Sequence, residues 1–175
     1  LQTSFSVNNI ALVHGRPCLL NLKDLISNFV DHRHEVVIRR TRHRLAAAEA
    51  REHILQGLLK ALDHLDEIIN LIRSSKTIDE AKQELVGRFE FSDIQAKAIV
   101  EMRLGQLTGL EREKLQKEYE ELERFIAECH ELLSNESKRM AVVKEEILEI
   151  KAKYGDERRT RIVYDSADFN IEDTI

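Results

Sequence analysis

Residues 115–154 read LQKEYEELERFIAECHELLSNESKRMAVVKEEILEIKAKY. Steps of four and three residues through this stretch select Leu115, Tyr119, Leu122, Ile126, Cys129, Leu133, Glu136, Met140, Val143, Ile147, Ile150 and Tyr154. All but Glu136 are apolar. A stripe with a mean spacing of 3.5 residues keeps one narrow face of a helix against a partner helix, so the spacing predicts a coiled coil. The partner is expected earlier in the chain. Leu55, Leu58, Leu62, Leu65, Ile69 and Ile72 repeat the alternation, and its upstream extension passes through Arg51, Ala48 and Arg44 toward Val37, Val30 and Phe29. Two such helices, joined by about forty residues, are expected to pack antiparallel. At 1.5 Å rise per residue, roughly 45 residues give an arm on the order of 70 Å.

Composition agrees with this reading. The 175 residues are 42% hydrophobic and 34% charged, with one Pro and six Gly, which points to a mainly α chain with little strand. The net charge of −5 argues against a surface that coats nucleic acid uniformly, while leaving local basic patches open. Two cysteines without motif spacing fit a reduced, intracellular setting. No apolar run is long enough to span a membrane and no secretory signal is visible, so a soluble, cytoplasmic protein with no membrane partner is expected. The chain starts at Leu1 without an initiator Met, as an excised piece of a longer protein would.

The fold expected is therefore mainly α: a long antiparallel two-helix coiled coil, a small helical knob at its tip and a short β hairpin at its root. Residues 1–21 form the hairpin root. In it Thr3 to Val7 alternates, Ile10 to Val13 is a short apolar run, and His14-Gly15-Arg16-Pro17 is a turn before Cys18-Leu19-Leu20. Asn21 is an N-cap, with Asp24 at the third helical position. Residues 22–73 form the outgoing helix, 74–108 the knob, 109–155 the returning helix, and 156–175 a charged connection, a strand candidate at Ile162 to Tyr164 and an acidic tail. Within the knob, Thr77 with Glu80, Ser92 with Gln95 and Thr108 with Glu111 fit capping boxes. They predict helices over about 78–86 and 93–104, with Gly87 and Gly105 as stops and Gly155 ending the return.

Three groups of residues are candidate sites. The second knob helix is apolar on more than one face, with Ile94, Ala98 and Met102 on one line and Ile99, Val100 and Leu104 beside it. The excess suits either a two-fold contact with a second copy or the closing of one small core. The interface expected for a homodimer is Ile99, Met102, Arg103 and Leu107. Arg33, Arg39, Arg40, Arg42 and Arg44, interleaved with His32, His34 and His43, form a basic stretch. Arg39, Arg40, Arg42 and Arg44 are candidate DNA-facing residues, because arginine donors match phosphate oxygens; a solvated helix surface is the plainer alternative. His32 and His34 point to different faces and no carboxylate or thiol completes a set, so no metal site is read. Finally, Ser134-Asn135-Glu136-Ser137 places poor helix formers beside the one charged seam residue. Ser134 and Asn135 read as a frayed turn or as a hinge facing the small residues Ala46-Ala47-Ala48.

Quoted in order, Gln2-Thr3-Ser4-Phe5, Gly15-Arg16-Pro17, Asn21-Leu22-Lys23-Asp24, His32-Arg33-His34-Glu35-Val36-Val37 and Arg39-Arg40-Thr41 resemble the DNA-cleaving subunit of bacterial type IIA topoisomerases. So do Gln95-Ala96-Lys97-Ala98-Ile99-Val100-Glu101-Met102-Arg103-Leu104, Leu107-Thr108-Gly109-Leu110-Glu111-Arg112-Glu113-Lys114 and Tyr154-Gly155-Asp156-Glu157-Arg158-Arg159-Thr160. The resemblance spans nearly the whole chain. On Asn21–Ile26 and Leu107–Glu111 it lies closer to the gyrase branch than to topoisomerase IV.

The resemblance implies a coiled-coil arm ending in a dimerising exit gate. It implies a parent that passes one DNA duplex through a break in another, with Mg and ATP bound elsewhere, the latter by a separate ATPase subunit, and with double-stranded DNA as partner. The family nucleophile is a tyrosine preceded by arginine. Here Tyr119 follows Glu118, Tyr154 follows Lys153 and Tyr164 follows Val163, so no catalytic residue and no cofactor-binding residue is assigned in this chain. Tyr119 and Tyr154 fall on the seam and read as packing residues. Two other functions compete: a structural coiled-coil adaptor whose knob binds an unrelated protein, and a general DNA- or RNA-binding arm working through the arginines.

Overall fold

The computed structural model describes residues 6–161, without the side chains of residues 104 and 106. A hairpin of β1 (Ile10–Val13) and β2 (Arg16–Leu19) precedes six helices: α1 (Leu22–Asp63), α2 (Leu65–Ser74), α3 (Ile78–Phe89), α4 (Asp93–Val100), α5 (Gly109–Ser134) and α6 (Glu136–Tyr154). A single 3-10 turn, Leu104–Leu107, lies between α4 and α5. The fold is mainly α, with a long first helix and one antiparallel hairpin, as the composition and periodicity predict. By packing, the chain divides into two compact units, one comprising the residues up to Val37 with those from Met140 onward, the other Ile38–Arg139.

In the first unit the hairpin turns on two residues only. His14 (φ 49°) and Gly15 (φ 79°) both take left-handed backbone, the geometry whose twist matches paired strands. The strands pair from Val13 with Arg16 to Ile10 with Leu19, and the Leu20 N–H donates to the Asn9 carbonyl at 2.8 Å. Arg16 and Pro17, expected in the turn, are thus in β2. Of the strand candidates at the two ends, residues 3–5 and 162–164 lie outside the described residues, and Ser6 and Val7 form no strand. The start of α1 is capped as expected: the Asp24 N–H donates to Asn21 Oδ1 at 2.9 Å. Further along, Arg33 donates to Glu146 of α6 at 2.5 Å, and in the same unit Val37 and Val143 are buried. Tyr154, by contrast, is 79% exposed and Ile150 53% exposed, which corrects their reading as packing residues. Among the described residues, nothing apolar covers these last turns of the seam.

In the second unit α1 and α5 run antiparallel, since Glu49 pairs with His130 while Asp63 pairs with Arg112. Between them Arg51 grips Glu118 with two donors, at 2.7 and 3.0 Å. The Asp63–Arg112 and Arg51–Glu118 pairs are exposed and contribute roughly 0.2–1 kcal/mol each. The burial of Ala48, Leu55, Leu58, Leu62 and Cys129 along the seam outweighs them. Upstream of Ala48 the seam departs from strict alternation: Leu45 and Thr41 are buried and Arg44 is exposed. A charged guanidinium costs more to bury than an isobutyl group, so the helix turns Leu45 inward.

The outgoing helix is two helices rather than one over 22–73. His64 leaves helical geometry (φ −113°, ψ 33°), and its N–H bonds back only three residues, to Ala61. Its ring lies 5.9 Å from that of Phe89. The break rotates α2 relative to the seam, so Ile68 and Leu71 enter the core and Ile69 of the expected seam stands 36% exposed.

The knob helices also end differently from expectation. α3 continues through Gly87 and stops where Glu90 takes left-handed backbone (φ 56°, ψ 35°). α4 ends at Val100, where the Met102 N–H tightens onto the Ile99 carbonyl at 3.2 Å. Of the three capping boxes, Ser92 with Gln95 is complete. Thr77 accepts from the Glu80 N–H, while the Glu80 carboxylate reaches past it to the Lys76 N–H. Thr108 makes no cap: its hydroxyl donates to the Gly105 carbonyl, and Glu111 pairs with Lys114 instead.

Candidate functional site

The knob is held on α1 by a small polar network centred on the buried Gln95. Gln95, 7% exposed, uses its whole amide: Oε1 accepts from the Ser92 N–H at 3.0 Å and Nε2 donates to the His53 carbonyl at 2.7 Å. His53 Nε2 and Ser92 Oγ lie 2.7 Å apart. Lys60 adds a bond to the Phe89 carbonyl at 2.6 Å and sits 5.0 Å above the Phe91 ring. Because every buried polar atom here has a partner, the apolar residues that follow Gln95 dock in one fixed phase. Ala96 and Ile99 face the core with Leu55, Leu58 and Leu85.

That phase shapes an apolar pocket of about 230 Å³. One wall is the end of α1 and α2: Ala61, Leu65, Ile68, Ile69 and Ile72. The other is Ile99 and Val100 of α4, with Met102 and Leu107 from the segment beyond it. Arg73 is the one charged residue on the lining. A wall of this kind buries apolar side chains, each worth roughly 1.5–3 kcal/mol, and offers nothing for acid–base or nucleophilic chemistry.

Of the four expected interface residues, Ile99, Met102 and Leu107 are brought together on this pocket. Arg103 is exposed and does not line it. The wall supplied by α2 was not read as part of a site, because Leu65 and Ile69 fit the coiled-coil seam. The signal available was three isoleucines, Ile68, Ile69 and Ile72, which is one apolar face too many for a seam.

Among the candidate DNA-facing residues, Arg39, Arg42 and Arg44 are exposed and Arg40 is half-buried. Ser134 and Asn135 are exposed, and Asn135 itself leaves the helix (φ −113°, ψ 108°). Opposite the seam of α5, Ala48 is buried while Ala46 and Ala47 are exposed.

Three groups in this unit are shifted in their titration. Burial, followed by the Glu123 carboxylate, pushes the Tyr119 hydroxyl up. Burial and then Glu128 push the Cys129 thiol up, against a smaller opposing effect of Arg44. The hydrogen bond to Glu118 raises Arg51 above its already high value. Among the described residues, no three His, Cys, Asp or Glu side chains are grouped so as to hold a metal ion, and no helix is long and apolar enough to cross a membrane.

Among the described residues, a helical framework carries a docked knob with an open apolar pocket. The chain belongs to the DNA gyrase/topoisomerase IV A-subunit family, whose family model matches residues 1–148. It is 50% identical over 175 residues to the DNA gyrase A subunit of Clostridium acetobutylicum and 51% identical over 175 residues to that of Halalkalibacterium halodurans. Each alignment covers the whole of this chain and 21% of the relative. The DNA gyrase A subunit of Streptococcus pyogenes is 49% identical over 163 residues, 93% of this chain and 20% of that protein. The chain thus spans about a fifth of the length of the curated relatives it matches.

Proposed function

We propose that this chain is the arm and exit-gate segment of a gyrase A-like protein, and that its knob pairs with a second copy through Ile99, Met102 and Leu107, with Arg103 at the rim. The apolar pocket carries the reading. Ile99, Met102 and Leu107 line it, and a second copy bringing the same surface would cover it from the other side, as a two-fold contact requires.

The parent protein would be an ATP-dependent type II DNA topoisomerase, an isomerase acting in the cytoplasm. Its ATPase subunit is the partner that binds ATP, Mg is held elsewhere, and double-stranded DNA is what it passes. The gate would hold two subunits together while a DNA double-strand break is open, and release the passed segment afterward. Arg39, Arg42 and Arg44, which are exposed, with Arg40 beside them, would meet DNA phosphates. This segment alone would neither cleave nor relax DNA, since no tyrosine in it follows an arginine.

The test is the molar mass of the 175-residue chain over a concentration series, repeated with Met102→Glu and Leu107→Glu. A dimer that those substitutions convert to monomer with helicity retained supports the gate. A chain that is monomeric throughout, or whose dimer survives both substitutions, overturns it.

A further inference from the structure

The junction between α5 and α6 contains neither Pro nor Gly. Across residues 133–137 it reads Leu-Ser-Asn-Glu-Ser, in which Ser134, Asn135 and Ser137 are weak helix formers but none forbids a helix. A continuous helix here would bond the N–H groups of Glu136, Ser137 and Lys138 to the carbonyls of Leu132, Leu133 and Ser134. With Asn135 in extended backbone these three bonds are given up.

The chain carries replacements for them. Arg139 Nη1 donates to the Leu133 carbonyl at 2.5 Å and the Leu132 carbonyl at 3.3 Å, taking two of the three released acceptors. The Lys138 N–H, one of the three released donors, bonds Asn135 Oδ1 at 3.3 Å. The last α5 bond, from the Asn135 N–H to the Glu131 carbonyl, is kept at 3.1 Å. So is the first of α6, from the Arg139 N–H to the Asn135 carbonyl, at 3.2 Å. Lys138 also forms an ion pair with Glu131 across the break. Frayed turns expose such groups to water; here a side chain from each side of the break caps the other helix.

We infer that the α5–α6 junction is a two-state joint: a broken state clipped by Arg139 and Asn135, and a continuous helix in which Leu132 and Leu133 take back the N–H groups of Glu136 and Ser137. Arg139 is a positioning residue that favours the broken state. The joint stands whether or not two copies pair through the knob. In a continuous helix the Leu132 and Leu133 carbonyls are aimed at the Glu136 and Ser137 N–H groups, so the clip competes with the helix for them, and losing the clip shifts the population toward the helix.

Amide hydrogen exchange, followed by NMR on the whole chain, separates this from simple reinforcement. In the parent the Glu136 and Ser137 amides exchange faster than that of Ile126. In Arg139→Gln they slow by at least threefold as the continuous helix gains population. Faster or unchanged exchange at Glu136 and Ser137 in Arg139→Gln would mean that Arg139 only stiffens a fixed bend, and the two-state joint would be lost. Parent amides at Glu136 and Ser137 as slow as Ile126 would also overturn it. Should Arg139→Gln lose helicity by circular dichroism, Asn135→Ala decides. It removes the other cap and slows the same two amides if the joint exists, and leaves them fast if it does not.

Discussion

The Gln95 side chain occupies the space that a methyl group on Gly57 would take: a Cβ built there stands 2.6 Å from Gln95 Cγ and 2.9 Å from Cδ. Gly57 lies in the interior of α1, where glycine is normally a loss of roughly 0.8–1.0 kcal/mol relative to alanine. Its presence follows from the helix that packs across it. Gln95 cannot swing aside, because both ends of its amide are bonded, to Ser92 and to His53.

Gly57→Ala is therefore expected to destabilise the chain even though it improves helix propensity. Overpacking costs about 1–3 kcal/mol, which exceeds the propensity gain. Thermal unfolding followed by helical circular dichroism checks the sign. A melting temperature at or above the parent's would mean that Gln95 yields freely and that the network does not fix α4.

The end of α3 offers the opposite case. Glu90 holds left-handed backbone that costs an L-residue roughly 1–2 kcal/mol, while Gly87 sits in the helix interior with nothing within 4 Å of the Cβ it lacks. Exchanging the roles with Gly87→Ala and Glu90→Gly is expected to stabilise the second unit by about 1 kcal/mol in total. Chemical denaturation gives the measurement, and a lower midpoint for the double variant would contradict the backbone argument.

Alkaline pH should weaken the α1–α5 packing. Both Cys129 and Tyr119 have raised values in the folded chain, chiefly through burial, so folding favours their protonated forms. That stability is complete below the ordinary thiol value of about 8.5. It is lost as pH rises through the raised folded values, first for the thiol and then for the phenol. Melting temperature is expected to be level from about pH 7 to 8 and to fall above about pH 9. In Cys129→Ala the fall should start later, where the phenol begins to titrate; an unchanged profile would remove the thiol from the account.

Much of the architecture could be read from spacing alone. The seam from Leu115 to Cys129, the Asn21 cap, the Ser92–Gln95 box and the hairpin are all local or strictly periodic signals. What escaped depends on partners distant in sequence. No residue near His64 breaks a helix by itself, and its ring meets Phe89, which lies 25 positions on. Strict alternation placed Arg44 on the seam because it counts positions and not the cost of burying charge. Gly87 looked like a stop because glycine usually is one, yet the reversal fell on Glu90, where α3 meets the segment leading to α4. For the pocket, Ile99, Met102 and Leu107 were legible as surplus apolar residues. Their opposing wall was hidden in plain periodicity, since Leu65 and Ile69 fit the stripe until the break at His64 turns α2.

Pro17 gives the hairpin a direction. Its pair with Leu12 lies between the hydrogen-bonded pairs Val13–Arg16 and Ala11–Cys18, so its missing N–H points away from β1 and costs the ladder nothing. That same gap falls on the outer rim of β2, where a further strand would need a donor. The rim of β1 keeps its full set at Ile10 and Leu12. Any sheet built onto this hairpin is therefore steered to the β1 side, and one imino acid acts as a one-way stop against growth from the other.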